Sequence, residues 1–382
     1  MVAVPTTAPP LCLAHLDRLT GATGIIQFAD GDRPDPGSGC CVDDVARLGM
    51  VAADLAALGL GGELPARWSA LAAAYLAAAY EPGGAGMCNM SGVDGAWLDR
   101  PHLGDHVGRA VWALGVLADT PEVPQVPRRA AAALLDAVGP VTDRLGEVGL
   151  RSVAYAVLGL ARWSGPVPAP ARVRRPSAVP DVAVLAAAVH RLDGALRAVA
   201  SPGWDWFEPM LAYDNARLPQ ALLVGAARLG EHDAAGRALA ALDWYVERVG
   251  LTTGPLRCVG NSWHHRDDRP ADSAQPPAGD GDEQPLDAAA VAEALVDAWL
   301  YTRDGRYAGL ARRAYGWFLG HNHGQAPLYD TGTGGCHDGL GPGGVNHNQG
   351  AESTLAYHQA LLRLVRAGLM ALPGHPTATR RP

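Results

Sequence analysis

Apolar residues recur at spacings of three and four along most of the chain, which is the pattern of helices with one buried face. Alanine dominates these segments and strings of β-branched residues are few, so helix is favoured over strand. The pattern predicts twelve helices, at residues 11–19, 44–58, 64–80, 109–117, 128–145, 152–163, 182–199, 215–229, 234–249, 288–301, 305–319 and 352–369.

The predicted helices alternate between two kinds. One kind, as at 128–145 and 234–249, is amphipathic with charged side chains on one face. The other kind is short, nearly uncharged and rich in small residues, as in VAYAVLGLA at 153–161. A helix that is apolar all round is buried, whereas an amphipathic helix faces water. Six outer and inner pairs predict an all-α fold, an (α/α)6 toroid with long loops at one end. A helical solenoid would carry a repeat motif and a capping unit, and neither is present.

The domain organisation follows from the loops. We expect one catalytic domain over residues 1–372 and a disordered tail over 373–382. Within the domain, the Pro-rich segment 166–180 is predicted to be a surface linker and the segment 271–282 a mobile insertion. The loops that precede inner helices are long (21–41, 83–104, 201–213, 252–285 and 320–350), and long loops of this kind are usually functional.

The composition excludes several mechanisms. The chain has no lysine, so all 31 basic residues are arginine, and neither a Walker A site nor a Schiff base with pyridoxal phosphate is possible. A net charge of −8 argues against nucleic acid as a partner. The start of the chain lacks the basic region of a signal peptide and no apolar run is long enough to span a membrane, so we expect a cytoplasmic protein without a membrane partner. The six cysteines have no CxxC spacing and are expected to be reduced.

Carboxylates occur where inner helices are predicted to begin. An acid in the first turn of a helix is also favoured by capping and by the helix dipole, so each one alone has a structural interpretation. In a toroid, however, all the inner helices begin at one end, so these acids would surround one cavity. Cleavage of a glycosidic bond needs such a pair, one protonated acid and one base or nucleophile. The acids are Asp43, Asp44, Asp105, Glu208, Asp214, Asp282, Glu283, Asp287 and Glu352.

The loops also contain aromatic and polar side chains. Trp97, Trp204, Trp206, Trp263 and Tyr329 lie in loops and Tyr213 lies at a helix start, where they would either stack on sugar rings or fill gaps in the core. The segment 331–353 holds His337, Asp338, Asn346, His347, Asn348 and Gln349. Irregularly spaced amides and imidazoles make a poor zinc site, and hydrogen bonding to sugar hydroxyls suits them better. We expect no metal and no cofactor.

Five segments together resemble a known family. They are CVDDVAR, DHVGRAVWALG, WDWFEPMLAYDNARLPQALL, EQPLDAAAVAEA and TGGCHDGLGPGGVNHNQGAESTLAYHQALL, within residues 11–369. They resemble a bacterial family of (α/α)6-toroid, mannan-active glycoside hydrolases, closest to the mycobacterial hydrolases of 3-O-methylmannose polysaccharide. The resemblance implies a mannan oligo- or polysaccharide as substrate. The helical, Ala- and Arg-rich and lysine-free character of the chain indicates an actinobacterial source.

The leading hypothesis is therefore a glycoside hydrolase that cleaves α-mannosidic bonds, an endo-α-1,4-mannanase with an inverting mechanism. Its catalytic pair would be Asp44 with Glu208 or Asp214, and next with Glu352. Arg47, Arg109 and Arg217 follow motif carboxylates by about one helical turn and would orient them. The candidate substrate-binding residues are Asp43, Arg47, Asp105, His106, Arg109, Trp204, Trp206, Tyr213, Asn215, Arg217, Trp263, Glu283, Asp287, Tyr329, His337, Asp338, Asn346, Asn348 and Gln349.

Two alternatives remain open. A sugar epimerase or isomerase on the same fold would use histidines as base and acid, with His106, His264, His347 and His358 as candidates. It predicts that His106 and His347 face each other across a small pocket. A non-catalytic glycan-binding protein would keep the aromatic loops without an acid pair. The oligomeric state is not predicted.

Overall fold

The computed structural model describes residues 6–83, 85–163, 182–261, 264–266 and 282–374. Helices dominate this part of the chain, and each of the twelve predicted segments contains one. In chain order the helices are α1 (Ala14–Leu19), α2 (Val42–Leu58), α3 (Leu64–Ala79), α4 (Asp105–Asp119), α5 (Gln125–Ala137), α6 (Gly139–Thr142), α7 (Leu150–Arg162), α8 (Val182–Val199), α9 (Arg217–Leu229), α10 (His232–Arg248), α11 (Pro285–Thr302), α12 (Gly305–Gly316) and α13 (Ala351–Arg366).

Six of the described helices close into a ring. Helix α2 packs on α4, α4 on α7, α7 on α9, α9 on α11, α11 on α13, and α13 returns to α2. We call these helices the inner ring. Outside it, α3 packs on α2, α5 on α4, α8 on α7 and α9, α10 on α9, α12 on α11, and α1 on α13. The chain is an (α/α)6 toroid, as the alternation of helix types predicts.

The ring is closed by the two ends of the described chain. The backbone N–H of Ala8 donates to the carbonyl oxygen of Ala371 at 2.9 Å, and the N–H of Ala371 donates to Thr6 at 2.9 Å. Helix α1 lies against α13 at the same seam. The segment before the first helix therefore lies beside the segment that follows the last one.

The largest departure from the predicted boundaries lies in the segment 128–145. It forms α5, the four-residue α6 and a 3₁₀ turn at Leu145–Glu147 instead of one helix. Gly139 and Pro140 fall at the break. Glycine weakens a helix and proline has no N–H to donate, so the helix ends there.

The long loops contain short antiparallel strand pairs. The strands are β1 (Ala29–Asp30) with β2 (Arg33–Pro34), β3 (Cys40–Cys41) with β6 (Met90–Ser91), β4 (Tyr80–Glu81) with β5 (Gly86–Met87), β7 (Met210–Leu211) with β8 (His264–His265), and β9 (Gly339–Gly341) with β10 (Gly344–Asn346). The β3–β6 pair leads directly into α2 and so fixes where that inner helix begins. The predicted linker 166–180, the predicted insertion apart from Asp282, and the tail beyond residue 374 lie outside the described residues.

Helices α4 and α7 pack closely because glycines line their contact. A Cβ atom on Gly108 would overlap the carbonyl oxygen of Ser152, and a Cβ on Gly115 would overlap that of Gly159. A Cβ on Gly159 would in turn overlap the carbonyl oxygen of Val111. The clashing atoms belong to the backbone, so a side chain at these positions would push the two inner helices apart.

We expect Gly159→Ala to lower the free energy of unfolding by about 1–3 kcal/mol, because overpacking outweighs the better helix propensity of alanine. Thermal or urea unfolding of the purified variant measures the change.

The matched control is Gly236→Ala in the outer helix α10, where a Cβ would meet no atom within 4 Å. This variant should be unchanged or more stable by up to about 1 kcal/mol. Equal stability of the Gly159 variant and the wild type would contradict the close helix contact.

Candidate active site

The inner helices all begin at the same end of the ring, because each of α2, α4, α7, α9 and α11 is followed by an outer helix that returns the chain to the end where the next inner helix begins. The long loops that carry the predicted site residues lie at this end. We call it the cleft end. The carboxylates there form two layers, one buried and one partly exposed to solvent.

Asp44 belongs to the buried layer at the start of α2. Its oxygens are engaged by Arg47 Nη1 at 2.8 Å and by the Cys41 thiol at 3.3 Å. Burial, together with Glu352 and Asp43, raises the pKa of Asp44 to about 6, although Arg47 opposes the shift. Asp44 is therefore buried below the accessible surface of the cleft end.

Glu352 lies above Asp44 and shares its arginine. Arg47 Nη2 lies 2.8 Å from Glu352 Oε2, and the Glu352 side chain is 42% exposed. Glu352 is in the first turn of α13, so this contact also joins the last inner helix to the first. Of the predicted catalytic acids Asp44 and Glu352, only Glu352 presents an accessible carboxylate.

Asp214 is the centre of the buried layer. It accepts the Tyr155 hydroxyl at 2.5 Å and lies 3.3 Å from Arg217 Nε and 3.6 Å from Arg109 Nη2. Its backbone adopts φ of 48°, a left-handed conformation that few residues other than glycine adopt. The backbone N–H of Asp214 donates to Asp287 Oδ1 at 2.6 Å.

Asp287 completes the buried layer from the first turn of α11. Its Oδ2 is buried without a hydrogen-bond partner among the described residues. Burial and the nearby Asp214 raise the pKa of Asp287 to about 8. The carboxyl group is therefore protonated at neutral pH, and it acts as a neutral acceptor for the Asp214 N–H.

The partly exposed layer includes Asp43 and Asp105 on adjacent inner helices. Asp43 binds Arg109 Nη1 at 2.6 Å. Burial opposes the ionisation of Asp43, but Arg109 and Arg47 outweigh it and lower its pKa. Asp105 accepts the Tyr213 hydroxyl, and burial raises its pKa. Two neighbouring carboxyl groups thus have their pKa values shifted in opposite directions.

Glu208 is held at the cleft end by Arg151. Arg151 Nη1 donates to Glu208 Oε2 at 2.7 Å, and Nε donates to the Tyr213 carbonyl oxygen at 2.5 Å. Asn215 is buried and its Oδ1 accepts from Arg151 Nη2 at 3.3 Å. Arg151 was missed by the sequence analysis, because the first turn of α7 carries no acid to mark it.

Arg217 points away from the cleft. Its Nη1 donates to Gln220 at 2.8 Å and its Nη2 to Glu293 at 3.1 Å, and its guanidinium carbon lies 4.7 Å from the centroid of the Trp112 ring. Tyr155 and Glu293 were also missed. Both lie inside helices rich in small apolar residues, and that pattern indicates a buried core rather than a site.

The loop before α13 combines structural and exposed residues. Gln349 is buried, bonded to Thr333 at 2.7 Å and to Asp330 at 3.2 Å. Asp338 accepts the Gly350 N–H at 2.8 Å, and burial raises its pKa. His337 is partly exposed, and its ring lies against that of His347. Of the predicted residues in this loop, Asn346, His347 and Asn348 are exposed.

Three aromatic residues predicted to bind sugar are packed in the core instead. Trp206 is fully buried and stacks on Tyr245, and Trp204 donates its Nε1 proton to the Glu208 carbonyl oxygen at 2.8 Å. Tyr329 stacks on Tyr357 with ring centroids 3.8 Å apart. These rings fill space behind the cleft end. Trp263 lies outside the described residues.

The histidines named for the epimerase alternative are mostly buried. His358 is fully buried, and burial lowers its pKa to about 4. His106 is buried with Nε2 3.0 Å from the Met87 carbonyl oxygen, and His264 is buried 2.9 Å from Arg248. A juxtaposition of His106 with His347 is not observed, since the His347 ring contacts His337.

Two exposed histidines at the cleft end were not predicted. His323 Nδ1 lies 2.7 Å from Oε1 of the buried Glu283, whose other oxygen accepts from Cys258 N at 3.0 Å and from Trp317 Nε1 at 2.9 Å. His102 Nδ1 lies 3.0 Å from the Arg100 carbonyl oxygen. Their side chains are 35% and 52% exposed. No local sequence pattern marks the pair of His323 and Glu283, because the two residues are far apart in sequence.

The described part of the chain contains no group of three or more His, Cys, Asp or Glu side chains placed to hold a metal ion. None of its helices has the length and hydrophobicity needed to cross a membrane.

Comparison with known proteins identifies the fold. No protein-family model matches the chain, and no curated protein matches it in sequence. Among solved structures, a cellobiose 2-epimerase from Bacillus thermoamylovorans superimposes with a TM-score of 0.66 at 10% identity, covering 93% of this chain and 95% of its own. A D-mannose isomerase gives 0.64 at 12% identity, covering 93% and 94%. A family 9 endoglucanase gives 0.53 at 13% identity, covering 89% and 73%. The fold is thus that of carbohydrate-active enzymes, and the epimerase and isomerase match over more of their own length than the endoglucanase does.

We expect Asp287→Asn to change how stability depends on pH. A pKa raised to about 8 means that the folded state holds a proton which the unfolded chain releases near its ordinary value of 3.8. Stability therefore falls as pH rises between these values, by about 1.4 kcal/mol per pH unit. The asparagine is neutral and keeps the acceptor for the Asp214 N–H, so it removes this loss.

Thermal unfolding of both proteins between about pH 5 and about pH 9 measures the effect. The melting temperature of the variant minus that of the wild type should increase with pH and level off above about pH 8. A difference that stays constant with pH would show that Asp287 is ionised in the folded protein. Other titrating groups are common to both proteins and cancel.

Proposed function

We propose that this protein is a sugar epimerase or isomerase whose active site lies at the cleft end. The proposal rests on one observation, the two exposed imidazoles His102 and His323, each of which is anchored through Nδ1. The full-length likeness of the fold to a cellobiose 2-epimerase and a D-mannose isomerase is consistent with it. At this level of identity that likeness is an analogy of fold, so the chemistry of the site carries the argument.

Epimerisation beside a carbonyl requires proton transfer at carbon. A base removes the proton from the carbon next to the carbonyl group, which leaves an enediolate. An epimerase returns a proton to the opposite face of that carbon, whereas an isomerase returns it to the former carbonyl carbon. Imidazole suits this task because its ordinary pKa lies near neutrality.

His323 has the geometry of an oriented base. His323 Nδ1 lies 2.7 Å from Glu283 Oε1, and a carboxylate at this position favours the tautomer with the proton on Nδ1 and the lone pair on Nε2. Glu283 is fixed in turn by Trp317 and by the Cys258 backbone. A buried carboxylate that orients a solvent-facing imidazole is the arrangement found in catalytic triads.

His102 supplies the second group. A carbonyl oxygen can only accept, so His102 Nδ1 must donate to Arg100 and its Nε2 is free. His102 precedes α4, and Glu283, which holds His323, precedes α11. In the order of the inner ring these two helices are opposite each other. A sugar bound between them would be approached from two sides.

The carboxylates and arginines of the cleft end would hold the sugar. Glu352, Glu208 and Asp43 are partly exposed and ion-paired, so each keeps a fixed position and has acceptor capacity for hydroxyl groups. Asp105, whose pKa is raised by burial, would donate a proton to the ring oxygen when the sugar ring opens.

A glycoside hydrolase acting on α-mannosidic bonds is the second candidate. It is favoured by Asp43 and Asp105, because a carboxyl group with a raised pKa beside one with a lowered pKa is what an acid and a base require. The sequence motifs that resemble those of mannan-active hydrolases also support an α-mannoside as the substrate. In this case His102 and His323 would have no catalytic part.

The two candidates predict different products. We expect incubation with D-mannose, D-glucose, cellobiose and mannobiose in D₂O to convert at least one sugar into its epimer or ketose, with deuterium incorporated at the carbon next to the carbonyl group. Proton NMR measures both changes. Shortened products from α-1,4-mannan oligosaccharides, without conversion of any free sugar, would contradict the proposal and favour the hydrolase.

We expect His323→Gln to lower kcat by about 10²–10⁴-fold, with exchange of the substrate proton lost in parallel. The matched control is His190→Gln, which breaks a similar imidazole–carboxylate pair, to Glu231 at 2.9 Å, in the outer helix α8. That variant should keep full activity. An active His323 variant with normal proton exchange would exclude His323 as the base.

A further inference from the structure

The loops before α2 and α4 form one small antiparallel sheet at the cleft end. Its two central strands are β3 and β6. Ile26 pairs with Cys40 on one side of them, and on the other side Trp97 pairs with the second strand at Ser91. Four segments thus lie side by side, which at a strand spacing of about 4.8 Å gives a width of about 14 Å. We call this the rim sheet.

One face of the rim sheet is covered by the outer helix α3. Ser91 Oγ lies 2.9 Å from the hydroxyl oxygen of Tyr75, and the Trp97 ring packs edge-on against the Tyr75 ring with centroids 5.1 Å apart. Residues paired across antiparallel strands point to the same side, and neighbours along a strand point to opposite sides. The neighbours Met90 and Leu98 therefore lie on the other face.

This other face borders the cleft and is apolar. Cys41 pairs with Met90, and the Cys41 thiol lies 3.3 Å from Asp44. Leu98 belongs to the same row, because its backbone N–H donates to the Met90 carbonyl oxygen at 2.8 Å. Leu98 is 67% exposed, and Met90 is partly exposed. The rim sheet therefore presents aliphatic surface to solvent beside the carboxylates of the cleft end.

The apolar face extends from one group of the proposed site to another. Asp99 accepts the Met90 N–H at 3.1 Å and lies 3.6 Å from His102 Nδ1. At the other margin Gln27 Nε2 lies 3.8 Å from the Met90 sulfur, and the Gln27 carbonyl oxygen accepts the N–H of the residue before Glu352 at 2.8 Å. A ligand that leaves the cleft between His102 and Glu352 would pass over this face.

We propose that the apolar face of the rim sheet binds a second sugar unit, attached on the non-reducing side of the ring that reacts. The faces of a pyranose ring carry C–H groups and its hydroxyl groups project from the edges. Leu98 and Met90 would contact a ring face, while Asp99 and Gln27 at the two margins would bind hydroxyl groups. The preferred substrate is then a disaccharide or a longer chain rather than a free monosaccharide.

The order of the two sugar units follows from the chemistry. Only the reducing-end ring of a sugar chain opens to a carbonyl group, so this ring lies between His102 and His323. The rest of the chain is joined through an oxygen of that ring and is not altered by the reaction. This inference therefore rests on the function proposed for the cleft end.

The experiment uses sugar alcohols, which have no carbonyl group and are not turned over by an epimerase or isomerase. Titration calorimetry on the full chain compares sorbitol with cellobiitol, and mannitol with reduced α-1,4-mannobiose. We expect the disaccharide alcohol of at least one pair to bind about 5–20-fold more tightly, because the second ring buries Leu98. Equal dissociation constants within both pairs, or no binding of either disaccharide alcohol, would overturn the proposal.

Variants of one exposed residue test where the second ring binds. Leu98→Ser should lose most of the preference for the disaccharide alcohol, whereas Leu98→Met keeps an apolar side chain of similar volume and should retain it. The matched control is Val126→Ser, at an 80% exposed position in the first turn of the outer helix α5, which should also retain it. Leu98 is exposed, so all three variants should melt as the wild type does. An unchanged preference in Leu98→Ser would refute this binding surface.

Failure of the proposed function gives a different result. A hydrolase acting on α-mannosidic bonds would release mannitol from reduced α-1,4-mannobiose, which proton NMR detects. Such release would overturn the order of the two sugar units together with the proposed function. Intact disaccharide alcohols that bind no better than sorbitol and mannitol would overturn the second sugar site alone.

Discussion

The parallel orientation of the inner helices is the constraint on which the site depends. Each helix carries partial positive charge at its start and partial negative charge at its end, and these helices all begin at one end of the ring. Carboxylates gather at that end, and arginines of the last turns, such as Arg162 and Arg363, gather at the other. The polarity of the molecule along its axis thus follows from its topology.

The acids of the cleft end would repel one another without the arginines between them. Arg47 joins the buried Asp44 to the accessible Glu352, and Arg109 joins Asp43 to the buried Asp214. The cations therefore lie between the two layers and contact both. This arrangement holds both layers of carboxylates in place, because removal of one arginine would leave a carboxylate in each layer without a counter-charge. It also keeps the carboxylates of the partly exposed layer in fixed positions, and recognition of a sugar requires such fixed hydrogen-bonding groups.

The helices, their inner and outer roles and the gathering of acids were predictable, because each follows from periodicity and composition along the chain. The depth of each side chain was not. Asp43 and Asp44 are adjacent in sequence, yet about 100° of helical rotation makes Asp44 buried and leaves Asp43 partly exposed. Trp206 and Tyr329 lie in loops and still pack in the core, since these loops fold back over the ring. His323 is recognisable as a candidate base only through its contact with Glu283, and a pair formed by tertiary contact leaves no local pattern in the sequence.

The seam between the two ends of the chain has a consequence for biosynthesis. The ring is complete only when α13 docks between α11 and α2, and α2 leaves the ribosome before the other five ring helices. Until then the apolar faces of α2 and α11 have no partner, so a nascent chain carries an open ring that other chains could enter. A truncation before α13 would leave this gap permanently and would also remove Glu352. Premature termination would therefore yield an aggregating product rather than a partly active one.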